Sequence, residues 1–255
     1  MTTRAYLITC LTNMHVGVGG TNYDIIDNAV QRDVTTGLPT IFSSSLKGAL
    51  REYCRHYGLK KEDINYIFGS DEKGESNVGN YNILPADLLS FPVRAKGIPY
   101  YNATAKELIA QINYTGKALG LDHLIDFSEE GEMEKPKTKR EGQRLEEYTS
   151  IGGLAATNQY IGDNIAVFHY NDLQYLTERL PVIARNQLEN GQSKNLWYEE
   201  VVPKASRFVF FVKIEENNAE RLQAFEALIT KNPVQIGANG SIGYGFCCIS
   251  KIEQS

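Results

Sequence analysis

Between Arg4 and Thr12 the side chains of Tyr6, Ile8 and Cys10 alternate with Leu7, Thr9 and Leu11, a period of two that predicts a central strand. The period changes after Ser43. Leu46, Leu50, Tyr53, Cys54 and Tyr57 fall on one side of a helix, while Lys47, Arg51 and Arg55 recur at every fourth position along another. Gly58 stops that helix, and Lys60 to Phe68 predicts a short second one. Residues 71–80 are polar and read as a turn or loop. Tyr81 to Arg94 is strand material broken by Pro85 and Pro92, so at least one piece belongs at an edge or bulge, with Arg94 at its end.

The second half alternates in the same way. Ala105 to Ile112 predicts a helix behind an Asn102 cap, Asp163 to Tyr170 a strand, and Asp172 to Ala184 a helix capped by Asp172 and interrupted by Pro181. From Arg185 to Val202 two extended arms flank a glycine-containing turn, the pattern of a protruding hairpin. Ser206 to Glu215 is the clearest strand; Asn218 to Lys231 is an amphipathic helix with Leu222, Phe225, Leu228 and Ile229 inward, and Gly243 to Ile252 completes a strand-helix-strand unit. Two such units at the two ends imply an α+β fold: a ferredoxin-like or RRM-like, mainly antiparallel sheet backed by helices. One domain over residues 1–255 is expected, with insertions at about 71–80 and 128–147. The latter is rich in charge and poor in apolar residues, the composition of an exposed loop.

Composition narrows the picture in three ways. With 255 residues and 42% hydrophobic content the chain can bury a substantial core. A formal charge of −5 argues against non-specific coating of nucleic acid, so any RNA site must be a local track. The four cysteines form no Cys-x-x-Cys and signal neither zinc nor a disulfide framework, the N-terminus is too short and polar for a secretion signal, and no apolar run spans a membrane; a reducing cytoplasm is expected.

The candidate chemistry is concentrated between Asn13 and Tyr57. In His15-Val16-Gly17-Val18-Gly19-Gly20 the glycines permit a sharp turn or close approach to a ligand. Asp27 follows Ile25 and Ile26 and reads as an acid enclosed by apolar neighbours. Ser43, Ser44 and Ser45 can cap the following helix, whose free amides at the positive dipole end, with Lys47 and Arg51 behind, suit a phosphate. Plainer readings stand beside these. Glycine clusters make turns, a lysine stripe is a solvated face, His15 can be a hydrogen-bonded structural residue, and Asp27 can bond amides of its own loop. The glycine run has neither the dinucleotide nor the phosphate-loop order, so nucleotide cofactors are not expected.

In their order, His-x-Gly-x-Gly, Ile26-Asp27-Asn28-x-Val30-Gln31-Arg32-Asp33, Thr36-Gly37-x-Pro39 and Ser44-Ser45-Leu46-Lys47-Gly48-x-Leu50-Arg51 resemble the RAMP superfamily of CRISPR proteins. Four further stretches narrow the resemblance to the repeated backbone subunit of the type III-B (Cmr) effector complex: Ile67-Phe68-Gly69, Leu89 to Arg94 (LSFPVR), Leu196 to Pro203 (LWYEEVVP) and the glycine-rich Ile236 to Phe246. The resemblance implies an endoribonuclease that binds a CRISPR guide RNA, stacks head to tail with copies of itself and other Cmr subunits, and cuts single-stranded target RNA paired to the guide. It implies that Asp27 is the target-cleaving residue and holds a divalent metal, Mg2+ or Mn2+, with His15 as an orienting auxiliary. It further implies that Ser44, Ser45, Lys47, Arg51, Arg94, Gly17, Gly19, Gly237, Gly240 and Gly243 hold guide phosphates. The hairpin at about 185–202 becomes a thumb-like projection in which Trp197 and Tyr198 wedge against the target strand or, equally, pack at the hairpin base. Two other classes remain open: a non-catalytic RNA scaffold, and a repeat-processing endonuclease using a His and a Tyr.

Overall fold

The computed structural model describes residues 1–19, 26–72, 75–94, 98–126, 158–215 and 218–253. The charged insertion at about 128–147 lies outside the described residues.

The expected first strand is β1 (Thr2–Cys10), followed by the two-residue β2 (Thr40–Ile41), α1 (Ser43–His56) and α2 (Lys61–Phe68). The stretch about 71–80 is a hairpin, not a loop, made by β3 (Gly69–Glu72) and β4 (Glu75–Val78). Gly69, at φ +87°, turns the chain out of α2, and Gly79 lies so close to α2 that a Cβ there would collide with the Ile67 carbonyl. Next come β5 (Tyr81–Ile83) and β6 (Ala86–Arg94). Pro92 is tolerated inside β6 because residues 91–94 pair only with the following strand, whereas 87–90 pair on the other side.

That following strand, β7 (Tyr100–Thr104), corrects one sequence expectation: Asn102 is a buried strand residue whose side chain donates to the Asp163 carbonyl, and α3 (Lys106–Ala118) is entered through Ala105. Then β8 (Ile165–Val167) leads to α4 (Tyr170–Thr177), whose cap position is His169 rather than Asp172 and which ends well before Pro181. The hairpin is β9 (Val182–Glu189) and β10 (Gln192–Glu200), joined at Asn190 and Gly191, both with positive φ. Asn-Gly with that geometry matches the twist of paired strands. Last are β11 (Arg207–Ile214), α5 (Ala219–Ile229) with Asn218 capping the Arg221 amide, β12 (Val234–Gln235) and β13 (Phe246–Lys251).

Among the described residues the main sheet has nine strands in the order β12-β13-β1-β11-β6-β7-β8, with β2 also on β6 and β5 also on β11. Every pair is antiparallel except β7 with β8. Because β1 lies antiparallel between β13 and β11, the unit β11-α5-β13 is a split strand-helix-strand with β1 in its gap; β1-α1-β6 is another, with β11 in its gap.

The alternation read from β1 has the packing it requires. Tyr6, Ile8 and Cys10 join Leu46, Leu50, Ile67 and Phe225 from α1, α2 and α5 on one face. Ala5 and Leu7 join Ile109 and Ile112 of α3, with Leu124 and Ile125, on the other. Helices therefore cover both faces. The strand β1 ends at Cys10, so the loop carrying His15 is delivered to one end of this sheet. Among the described residues no helix is long and apolar enough to cross a membrane.

A carboxylate at the foot of the hairpin and the groove beside it

Three loops meet the base of the β9–β10 hairpin at one end of the sheet. The first, after β1, is tied by Met14 N–H to the Val202 carbonyl (2.9 Å) and Val202 N–H to the Met14 carbonyl (2.8 Å). The second carries Asp27. Asn28 N–H donates to the Tyr198 carbonyl (3.1 Å) and Glu200 N–H to the Asn28 carbonyl (2.9 Å), so residues 28–30 run alongside the end of β10. The third, residues 236–245, approaches the first so closely that Ala238 N–H reaches the His15 carbonyl at 2.8 Å and Gly245 N–H reaches Asn13 at 2.8 Å. The two glycine-rich loops are therefore stitched together by their backbones.

Asp27 is exposed, where the sequence suggested an acid enclosed by apolar side chains. The reason is the local pairing: residues 28–30 pack against β10, and that turns the carboxylate out at the hairpin foot, where Oδ2 accepts the Tyr198 N–H at 2.7 Å. Accepting an amide hydrogen bond fixes one oxygen and leaves the other available.

Two buried acids underlie it. Glu200 accepts from Val30 N–H (3.0 Å) and from the Arg32 guanidinium, which also donates to the carbonyls of Thr177 (2.9 Å) and Gly37 (3.1 Å). Glu199 accepts from Arg185 Nε (2.9 Å) and from Asn239 Nδ2 through both oxygens (2.8 and 3.0 Å). Arg185 in turn lies over the Tyr244 ring at 4.4 Å. Each acid is thus paired as burial of a charge requires.

His15 is 5% exposed; Nδ1–H donates to the Glu200 carbonyl at 2.7 Å, and Nε2 stands 3.5 Å from Glu199 Oε1. Its ring holds the first loop to the hairpin base, from inside. Gly17 is required beside it, since a Cβ there would lie 2.9 Å from His15 Nε2.

Next to this platform α1, the first loop and the 233–237 segment enclose a groove of about 590 Å3, lined by Gly17, Ser44, Ser45, Gly48, Gln235 and Gly237 among others. Four sequence-predicted phosphate contacts are therefore brought together: Gly17, Ser44, Ser45 and Gly237. The serines do not cap α1. Phe42 occupies the cap position without a side-chain bond, and Gln31, buried, donates to Gly17 O and Ser45 Oγ while accepting the Phe42 N–H at 2.7 Å. Lys47 and Arg51 do not line the groove; Arg51 and Arg55 border a separate hollow with Lys61 and Asn65. Tyr57, expected inside, is 49% exposed and packs on the Tyr53 ring. Arg94 is exposed at the end of β6. Gly240 opens a short 3-10 turn closed by Gly243, in the loop that sends Asn239 to Glu199. Trp197 and Tyr198 sit near the hairpin foot, far from its Asn190-Gly191 tip, with Trp197 half-buried opposite Arg185 and Tyr198 42% exposed.

Sequence reasoning missed Gln31, Arg32, Arg185, Glu199, Glu200 and Asn239 as working residues. Gln31, Arg32, Glu199 and Glu200 stand within the motifs that carry the family resemblance, and Glu199 and Glu200 are adjacent acids in a strand, which alternation should have sent to opposite faces. Cys247, 3.8 Å from Cys10, is no candidate nucleophile: its thiol is pushed well above the ordinary range by the hydrogen bond with Cys10 and by burial. Among the described residues no group of three His, Cys, Asp or Glu could hold a metal. A closed zinc-type site does not fit, whereas a hard cation that takes one carboxylate and otherwise water and substrate oxygens does fit exposed Asp27.

A mainly antiparallel α+β sheet with glycine loops and a projecting hairpin at one end defines the class: the chain belongs to the RAMP superfamily, whose model matches residues 7–248. More particularly, it is similar to the CRISPR system Cmr endoribonuclease Cmr4 of Pyrococcus furiosus, 28% identical over 98% of this chain and 96% of that protein. It has the fold of a chain in the type III-B Cmr-beta complex bound to cognate target RNA (TM-score 0.76, 22% identity, 99% of this chain and 98% of that one). The same holds for oligomeric Cmr4 from Pyrococcus furiosus (TM-score 0.66, 20% identity, all of both chains).

Proposed function

We propose that this chain is the guide-RNA-binding backbone subunit of a type III-B CRISPR complex, that copies stack head to tail along the guide, and that each cuts the paired target RNA at Asp27. The observation carrying this reading is the Asp27 carboxylate, exposed at the hairpin foot and held there by the Tyr198 N–H at 2.7 Å. Support comes from the endoribonuclease named among its relatives, which it matches over 98% of its length.

A carboxylate is a far weaker base than the alkoxide it would have to generate from a ribose hydroxyl. Orientation is the better use of it. The free Asp27 oxygen accepts from a ribose 2′-hydroxyl and lines its oxygen up with the neighbouring phosphorus. The O2′–P bond forms as the P–O5′ bond breaks, the 2′ proton passes to solvent, and the departing O5′ takes one up. The products carry a cyclic phosphate and a 5′-hydroxyl. Asp27 would also be the ligand of a Mg2+ or Mn2+, which when bound supplies positive charge against the phosphate. Gly17, Ser44, Ser45 and Gly237 line a groove that takes the guide through amide and hydroxyl donors, while base pairing selects the sequence. His15 keeps the first loop on the hairpin base.

In assembled complex, Asp27→Asn is expected to reduce target cutting by at least about 100-fold, the loss typical of removing a transition-state contact, with guide and target affinities within about twofold. Gel analysis of end-labelled target reads both; cutting at the wild-type rate would remove Asp27 from the mechanism.

A further inference from the structure

We infer that Arg32 and Glu200 form a positioning pair that sets where Asp27 stands relative to the hairpin, and hence where the target is cut. This rests on the reading of Asp27 given above. The segment leaving Asp27 has three ties to β10: Asn28 N–H to Tyr198 O, Glu200 N–H to Asn28 O, and Val30 N–H to the Glu200 carboxylate. The third is a side-chain tie, and it depends on where the Glu200 carboxylate points. Arg32 decides that. Its guanidinium holds Glu200 Oε1 while two further donors are spent on the carbonyls of Thr177 and Gly37, which belong to α4 and to the turn before β2. The geometry is a three-way fork that only a planar guanidinium supplies.

Glu200 is 3% exposed and the Arg32 side chain 24%, and neither residue lines the groove. Its effect on chemistry therefore passes through Asp27. A carboxylate displaced by about 1 Å still meets RNA but no longer aligns one particular 2′-oxygen, and misplacement of that size costs up to about 100-fold in rate.

The test uses assembled complex carrying Arg32→Gln, Glu200→Gln, both together, and Asp27→Asn. Glu226→Gln serves as the comparison: that acid also meets a buried hydroxyl (Tyr6, 3.0 Å) and an arginine (Arg4, 3.4 Å), but on the α5 side of the sheet. Three quantities are read: affinity for target, single-turnover cutting rate, and the positions of the cut ends at single-nucleotide resolution. The pair's single variants are expected to cut at least about tenfold more slowly with affinity within about twofold, and to spread each cut over neighbouring nucleotides. The double variant should lose no more than the worse single one, since the two act as one unit. Glu226→Gln should cut at the wild-type rate and positions. Arg32→Lys keeps the charge without the fork; it is expected to spread the cuts too, and carries the test where Glu200→Gln fails to assemble. Wild-type rate and sharp cuts in both Glu200→Gln and Arg32→Lys, with Asp27→Asn inactive, would overturn the inference alone. Cutting by Asp27→Asn would overturn it together with the catalytic reading.

Discussion

At the scale of single residues, two glycines with nearly the same backbone conformation make different demands. Gly237 has φ +88° and Gly243 φ +87°, a region that costs an L-residue about 1–2 kcal/mol. A Cβ on Gly243 meets nothing within 4 Å, whereas on Gly237 it would collide with the His15 carbonyl and crowd Val16. Gly243→Ala is therefore expected to lower the melting temperature by only about 2–4 °C, the shift of a 1 kcal/mol loss in a chain of this size, and to leave guide binding in place. Gly237→Ala must push the two glycine loops apart, with at least twice that loss and weaker guide binding; calorimetry and a filter-binding titration on the two variants separate them, and equal effects would contradict the close approach. That glycines mark such places was legible in the sequence. The acids Glu199 and Glu200 were not, because their meaning lies in partners far along the chain: Arg32 is 168 residues from Glu200. No local pattern encodes a contact of that range.

Among the elements, those with a strong period were legible and those defined by tertiary neighbours were not. The central strand, α1, α2, the hairpin, β11 and α5 follow from alternation or from a 3.6-residue period, with boundaries shifted by a few residues. β7 was read as a helix cap because Asn102 is a good capping residue in isolation; burial beside β8 and a bond to Asp163 outweigh that preference. The β3 and β4 segments lack apolar alternation, yet they pair with each other between Gly69, which leaves α2, and Gly79, which approaches it closely. The β9–β10 hairpin forms its own two-stranded sheet, and from Gln192 to Leu196 its second strand is wholly exposed. Its outer half therefore contributes little to the core. Replacing residues 187–195 by Asn-Gly, which keeps Asn186 opposite Leu196, is expected to change stability by less than about 1 kcal/mol. Guide binding should persist, because the groove lining lies elsewhere. If the projection separates guide and target strands, the shortened complex should cut with altered spacing along the target. A melting curve and a cut-site map report the two halves of that expectation separately.

On the scale of the whole molecule, the sheet is covered on both faces, so an ionisable group on a central strand has little room for its charge. Asp87 on β6 is such a group: burial, and secondarily the Asp33 carboxylate, push its pKa from 3.8 up to about 6. Asp33 is held close by Thr35 N–H, Thr36 N–H and the Thr36 hydroxyl, in the loop that connects Asp27 to β2. The sign follows from linkage. Between pH ~4 and ~6 the folded chain retains a proton that the unfolded chain has released, so stability from this group is greatest in acid and falls as the pH rises through that window. Above it an ionised Asp87 remains enclosed beside Asp33 at a net cost. Asp87→Asn should accordingly raise the melting temperature at pH 7.5 by about 2–4 °C or more, have almost no effect near pH 4, and flatten the profile between. Parallel wild-type and variant profiles from pH 4 to 7.5 would show that the charge is relieved by another group. The consequence for function is that the loop bearing the catalytic candidate is anchored, at its far end, to a strand position destabilised at neutral pH. Relieving that position without touching Asp27 should leave the cut positions unchanged.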